Sequence, residues 1–190
     1  MRQLGIADEE FIRGKVPMTK AEIRAMVMVK AAVAETDIVC DVGAGTGSLS
    51  VEAALCASKG HVYAIERNPE GIALISQNAK KFDCDNITII EGVAPSAMET
   101  LPALDVVLIG GSGGNLSSIL DAADTRLSPG GRIVITAVTV ETTEEVVREM
   151  SKRNYAVDGF QMQVNRLRCL GHYHLYDPQS PVFIFTCVKA

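Results

Sequence analysis

The sequence predicts an α/β fold: a doubly wound, mostly parallel sheet of seven strands, with an antiparallel strand at the end. Three observations predict it. Apolar strand-like runs alternate with amphipathic helix-like stretches five times between residues 37 and 153, which places helices on both faces of a parallel sheet. The first run, 38–42, empties into glycines at alternate positions, Gly43, Gly45 and Gly47, as a strand does when it turns tightly into a helix. Two further β-rich segments, about 156–167 and 182–188, have no helical pattern between them, so they pair antiparallel.

Taken in order, residues 7–13 read as a short helix. Thr19 and Glu22 then form a capping box: the hydroxyl bonds the Glu22 amide and the carboxylate returns to Thr19. Ile23, Met26, Val27 and Val33 give the following helix an apolar face to about residue 34, so 1–36 forms a helical cap. A βα core spans 37–153. Its second strand is 61–66, and Asn68-Pro69-Glu70 opens a helix well, with Asn at the N-cap and Pro at the first helical position. Strands follow at 86–91, 105–109 and 132–138, with helices at 116–127 and 141–153. Residues 154–190 read as a C-terminal β-hairpin.

At 190 residues the chain can bury a substantial core as one domain, 1–190. With 47% apolar and 22% charged residues its composition is that of an ordinary soluble protein. A net charge of −5 argues against duplex nucleic acid as a partner. Five cysteines at 40, 56, 84, 169 and 187 include no C-x-x-C pair, and an odd count suits reduced thiols in the cytoplasm. Met1-Arg2-Gln3-Leu4-Gly5 opens no apolar signal core, and no stretch approaches the roughly 20 apolar residues of a membrane span. No metal is expected, because His172 and His174 have no third ligand nearby.

The chemistry starts at the glycine loop. A dinucleotide fingerprint is G-x-G-x-x-G, with pyrophosphate on the helix N-terminus. Here the third Gly comes one residue early. The observed D-x-G-x-G-x-G, from Asp41 to Gly47, resembles the first motif of the Rossmann-like, class I methyltransferases that use S-adenosylmethionine (SAM). SAM has no phosphate, so Gly43, Ala44, Gly45, Thr46 and Gly47 would face an amino-acid tail and a ribose. Glu66 ends the second strand, about 20 residues on, where an acid accepts ribose hydroxyls and opposes a phosphorylated ribose. In the same methyltransferases the segment matching Glu91-Gly92-Val93-Ala94-Pro95 meets adenine, which gives the amide of Ala94 that role; read alone, the segment is equally an ordinary turn before a helix. They also end on a reversed strand inserted in the sheet.

Gly110, Gly111, Ser112, Gly113 and Gly114 follow the fourth strand. Their small size leaves open space and exposed amides for a bulky acceptor with carboxylates. Arg166 and Arg168 share one strand face; they either bind carboxylates or line a solvated strand edge.

Five segments occur together in this order: Val16-Pro17-Met18-Thr19-Lys20-Ala21-Glu22-Ile23-Arg24, Asp41 to Gly47, Ala64-Ile65-Glu66-Arg67-Asn68-Pro69, Glu91 to Pro95, and Ile109 to Gly114. In this the chain resembles the decarboxylating precorrin methyltransferases of cobalamin biosynthesis over nearly its whole length, in their stand-alone form. The resemblance implies a SAM-dependent enzyme that methylates the C-15 meso position of a precorrin, a polycarboxylate tetrapyrrole, and decarboxylates its ring C acetate. It places Thr19 against SAM. It implies a homotetramer, with 167–181 as a candidate contact; the charge and the lack of a long apolar stretch lead to the expectation of no nucleic-acid or membrane partner. Ser112 and His172 are weak candidates for a catalytic side chain, and His172 reads more readily as an ordinary surface or interface histidine.

Rival readings remain at this stage. They are a SAM methyltransferase of another small molecule or of RNA, a nucleotide-binding oxidoreductase, and a non-catalytic subunit. The early Gly47 counts against the oxidoreductase, and the intact glycine loop with Glu66 counts against the non-catalytic subunit.

Overall fold

The computed structural model describes residues 4–190, so residues 1–3 of the expected cap lie outside it. Seven strands form one sheet in the order β3-β2-β1-β4-β5-β9-β6. Their ranges are Ile38–Val42 (β1), His61–Glu66 (β2), Ile87–Glu91 (β3), Leu104–Ile109 (β4), Leu127–Ala137 (β5), Tyr155–Met162 (β6) and Val182–Lys189 (β9). β1 to β5 pair in parallel, and β9 runs antiparallel between β5 and β6. The five parallel strands and the reversed last strand follow the sequence expectation.

Alternation along the strands feeds two cores. Val39, Val106, Val134 and Ile184 face Ala21–Ala31 (α1), Ser48–Cys56 (α2) and Pro69–Lys81 (α3). Cys40, Val107, Ile133 and Phe185 face Leu116–Arg126 (α4) and Val140–Met150 (α5). Each fully buried Val, Leu or Ile contributes about 1.5–3 kcal/mol, so this double layer fixes the carboxyl ends of β1, β2 and β4. Asn68 caps α3 by accepting from the Glu70 amide at 3.0 Å, as its sequence predicts. Arg132 holds the other end of α1, bonding the carbonyls of Ala31 and Ala32 and pairing with Asp37 at 3.0 Å.

Three local expectations need correction. The short helix over 7–13 is a three-residue 3₁₀ turn, Asp8–Glu10. The Thr19–Glu22 capping box does not form. Lys20 is the N-cap of α1 without a side-chain bond. The Thr19 carbonyl accepts from Arg24 Nη1 at 2.5 Å, and Glu22 pairs with Arg166 at 2.8 Å. The Glu22 carboxylate that would close the box is thus turned to Arg166 instead. Finally, 154–190 is not one hairpin. The expected strand at 156–167 breaks after Met162, and Asn165–Leu170 (β7) with Tyr173–Pro178 (β8) forms a separate two-stranded arm between β6 and β9.

Candidate active site

The carboxyl ends of β1, β2 and β4 open into a cavity of about 620 Å³. A topological switch point of this kind is where open α/β sheets bind ligands. Three layers build it: the β1 glycine loop, the β4 glycine loop and the segment before α1.

Gly43 has φ +71°, and a Cβ there would lie 2.9 Å from the Gly111 carbonyl oxygen. Glycine at 43 therefore lets the β1 and β4 loops touch. Gly45, at φ +58°, lies under the Pro17 carbonyl; its Cβ would sit 3.3 Å from that oxygen. The loop amides are largely spent internally: Gly43 and Ala44 donate to the Ile65 carbonyl, and Gly47 donates to that of Ala44. What the loop offers a ligand is close main-chain approach rather than a nest of amides.

Glu66 is buried, and its carboxylate is the hub of the site. Oε2 accepts from the Gly45 amide at 2.8 Å, while Oε1 accepts from the Arg67 and Asn68 amides at 2.9 and 2.8 Å. The side chain expected to meet a ribose thus also braces the glycine loop. Oε2 keeps acceptor capacity, because a carboxylate oxygen has two lone pairs.

Asp41 lies at the base of the cavity, fully buried. Burial pushes its carboxyl up to about 6; the Ser50 hydroxyl, donating at 2.5 Å, opposes the rise, and the Glu66 charge adds to it. The folded protein therefore holds this proton more tightly than the unfolded chain, whose Asp titrates near about 3.9. Stability should fall as pH climbs from about 4 through 6, with the full cost present above that range. Relative to wild type, Asp41→Asn is expected to gain up to about 3 kcal/mol over this interval in urea unfolding. A pH-independent difference between the two proteins would show that Asp41 titrates normally.

Thr46 lines the cavity with a buried hydroxyl that has no hydrogen-bond partner among the described residues. Leaving such a group unpaired costs about 1–3 kcal/mol, so a polar ligand would relieve it. With two carboxylates, Asp41 and Glu66, these residues fit a cationic cofactor without phosphate, as SAM is.

Most of the sequence-predicted site residues converge here. Thr19, Gly43, Ala44, Gly45, Thr46, Glu66, Ala94, Gly110, Gly111, Ser112, Gly113 and Arg166 line the cavity. Gly47, Gly114, Arg168 and His172 do not line it. Gly47, at φ +77°, is the N-cap of α2, and its Cβ would come within 3.0 Å of Ile75 Cγ1, so it serves helix packing. Arg168 lies further out on the exposed arm, and His172 stands at the arm's exposed turn between β7 and β8.

The sequence profile described as precorrin methyltransferase domain matches residues 10–189. The chain belongs to the precorrin methyltransferase family. Among its relatives, a Salmonella typhimurium protein named cobalt-precorrin-6B C(15)-methyltransferase (decarboxylating) is 41% identical over 184 residues, covering 96% of this chain and 95% of that protein. The crystal structure of a precorrin-6y C5,15-methyltransferase from Geobacter metallireducens superposes with a TM-score of 0.92 at 38% identity, covering 98% of this chain and 97% of that one. A precorrin-8w decarboxylase from Methanobacterium thermoautotrophicum superposes at 0.90 with 35% identity over 96% and 98% of the two chains. A tRNA (m1A58) methyltransferase from Aquifex aeolicus, 14% identical with a TM-score of 0.75, shares the fold.

Two features of this precorrin methyltransferase family member escape a sequence reading. One is Gly71 in α3. A Cβ there would lie 2.9 Å from both Glu66 Cγ and the Gly45 carbonyl oxygen. Gly inside a helix costs roughly 0.5–1 kcal/mol against Ala; that unfavourable choice, one residue past the expected Asn68-Pro69-Glu70 start, is the signal that could have found it. Gly71→Ala is expected to weaken SAM binding about tenfold, despite the higher helix propensity of Ala, by pressing Glu66 off the Gly45 amide. Calorimetry on the folded variant checks this; undiminished affinity would mean the brace is dispensable.

The other is the clasp that seats the segment before α1. Arg24 is fully buried, with Nε 2.6 Å from Glu52 and Nη1 3.3 Å from Asp8. Glu52 also accepts from the amides of Gly5 and Ile6. Lower down, Asn78 bonds the Ile12 amide and carbonyl and donates to the Thr46 carbonyl at 2.9 Å. These contacts bring Pro17 and Thr19 to the cavity.

Proposed function

We propose that the chain works as one cytoplasmic catalytic domain that binds SAM and methylates the C-15 meso carbon of a cobalt-precorrin-6B-type tetrapyrrole, with loss of the ring C acetate carboxyl as carbon dioxide. One observation carries the reading: in a member of the precorrin methyltransferase family, the braced glycine loop and an open, small-residue β4 loop share one cavity. Thr19, the loop from Gly43 to Thr46, Glu66 and Ala94 would hold the cofactor. Gly110, Gly111, Ser112 and Gly113 would receive the flat macrocycle, with Arg166 on one of its carboxylates.

Bound SAM supplies a sulfonium methyl already activated for in-line displacement. The protein's part is positioning, which can be worth about 7–11 kcal/mol of barrier. Pro17 lies over Gly45 and fixes one wall of the site beside the glycine loop. Ser112 lines the cavity, and its hydroxyl would be the group to exchange a proton at the acceptor. The conjugated macrocycle takes up the electron pair left when carbon dioxide departs, so no strong protein base is required. The test is to incubate the protein with SAM and a precorrin pool and read product masses. One methyl gained with one carbon dioxide lost supports the proposal; a methyl gained alone, or no change, overturns it.

We read the arm as the contact between copies in a homotetramer. All residues of β7 and β8 are exposed, Leu167 at 67%, Tyr173 at 74% and Tyr176 at 81%. An isolated two-stranded ribbon is at best marginally stable in water, and clustered exposed apolar side chains mark an interaction surface. Leu167→Ser with Tyr176→Ser is expected to lower the mass seen by sedimentation from tetramer towards monomer, with the sheet intact by circular dichroism. A wild type already monomeric at micromolar concentration would remove the arm from this role. Among the described residues, no helix is long and apolar enough to cross a membrane.

A further inference from the structure

Three cations line the cavity: Lys20, Arg67 and Arg166. Lys20 lies 3.8 Å from Asp8, and Arg166 lies 2.8 Å from Glu22. The Arg67 guanidinium has no hydrogen bond, ion pair or ring contact among the described residues, although its own backbone amide is bonded to Glu66. Its Nη1 stands 4.0 Å from where a Cβ on Gly113 would be. The side chain therefore reaches from the end of β2 to the β4 loop.

Nothing in the folded protein explains that placement as stabilisation. Arg67 directly precedes Asn68, the N-cap of α3. A cation there meets the positive end of the helix dipole, which is the unfavourable arrangement. Glu66 forms no ion pair with it; both carboxylate oxygens are turned to backbone amides. The loop opposite is bare: a Cβ on Gly111 or Gly114 would meet nothing within 4 Å. An unpaired arginine, a helix N-terminus and an open glycine loop together make an anion site at the cavity mouth.

We propose that Arg67 binds a peripheral carboxylate of the acceptor, seating the macrocycle over the β4 loop. This rests on the polycarboxylate acceptor proposed above. The planar guanidinium fork suits bidentate carboxylate binding in a way an ammonium does not. Gly113 is in the left-handed region at φ +57°, which favours glycine, and the absence of a side chain there leaves the space beside the guanidinium open to a ligand. Arg166, released from Glu22, would hold a second carboxylate from the arm side, so the two arginines fix the acceptor's orientation.

The experiment uses the full chain saturated with SAM and uroporphyrin, a stable octacarboxylate tetrapyrrole, as a fluorescent probe. Arg67→Leu keeps the aliphatic bulk and removes the charge. Its affinity for uroporphyrin is expected to fall about tenfold, with Arg67→Lys in between. The gap between wild type and Arg67→Leu should close at about 1 M salt, where the screening length is about 3 Å. SAM affinity should stay within about twofold of wild type, as a carboxylate contact worth a full tenfold on the probe alone requires. Undiminished uroporphyrin binding by Arg67→Leu, or no binding by wild type, overturns the proposal. Loss of SAM affinity also overturns it and places the arginine on the cofactor. Turnover of the precorrin pool by wild type is scored separately. Its absence, with arginine-dependent uroporphyrin binding intact, rejects the activity proposed above and leaves the anion site standing.

Discussion

Arg24→Leu is expected to cost about 3–5 kcal/mol of stability. The guanidinium is fully buried and answers two carboxylates at once, Glu52 at 2.6 Å and Asp8 at 3.3 Å. It also donates to the carbonyls of Thr19 and Ile6 and lies over the Phe11 ring, 4.5 Å from the centroid. Removing it leaves Glu52 without a cation, Asp8 with Lys20 at 3.8 Å alone, and two carbonyls without their donor. The damage then passes to the site, because the segment that Arg24 seats carries Pro17 onto Gly45 and Thr19 into the cavity. SAM affinity should fall with stability, and proteolysis should open the chain before residue 20 first. Arg24→Leu combined with Glu52→Leu should recover part of the loss, since apolar residues can replace a buried ion pair at little cost. Urea unfolding measures both. A single variant within about 1 kcal/mol of wild type would show that water reaches the clasp.

The clasp also shows where the sequence stops speaking. The parallel strands are legible because each is a short apolar run bounded by turn residues, a signal contained within about ten residues. Asn68 reads correctly as a cap for the same reason. Glu66 is legible as a site residue because fold and offset place it at a strand end. Its bond to the Gly45 amide is not, since that contact joins residues 21 apart through loop geometry. Arg24 and Glu52 are 28 residues apart, and Gly5 and Glu52 are 47 apart. No local pattern marks such partners. A long-range pairing also removes one half of the Thr19 capping box: the spacing fits, yet the helix cap falls one residue later, at Lys20, and the Glu22 carboxylate turns to Arg166, 144 residues on. The arm was hidden because its alternation resembles that of β6, from which it is separated only by Gln163 and Val164.

Glu66→Ala is expected to weaken SAM binding by about a hundredfold, more than Glu66→Gln at about tenfold. Hydrogen bonds to a charged acceptor are worth about 1.5–3 kcal/mol, so one lost ribose contact accounts for roughly ten- to a hundredfold. The alanine variant also frees the amides of Gly45, Arg67 and Asn68, which now share the carboxylate. Gly45 is the residue on which Pro17 rests, so the loop and its cover would loosen together. Glutamine keeps one carbonyl oxygen for Arg67 and Asn68, but its NH₂ would then oppose the Gly45 N–H, donor against donor. Two roles, ribose acceptor and loop brace, predict the same direction of change, and a thermodynamic cycle separates them. SAM and its 2′,3′-dideoxy analogue are each titrated into wild type and Glu66→Ala. If the carboxylate touches the ribose, the mutation costs SAM more than the analogue, with a coupling of about 1 kcal/mol or more. If it only braces the loop, both ligands lose equally. Wild-type affinity for SAM in a folded Glu66→Ala would remove the residue from the site in either role.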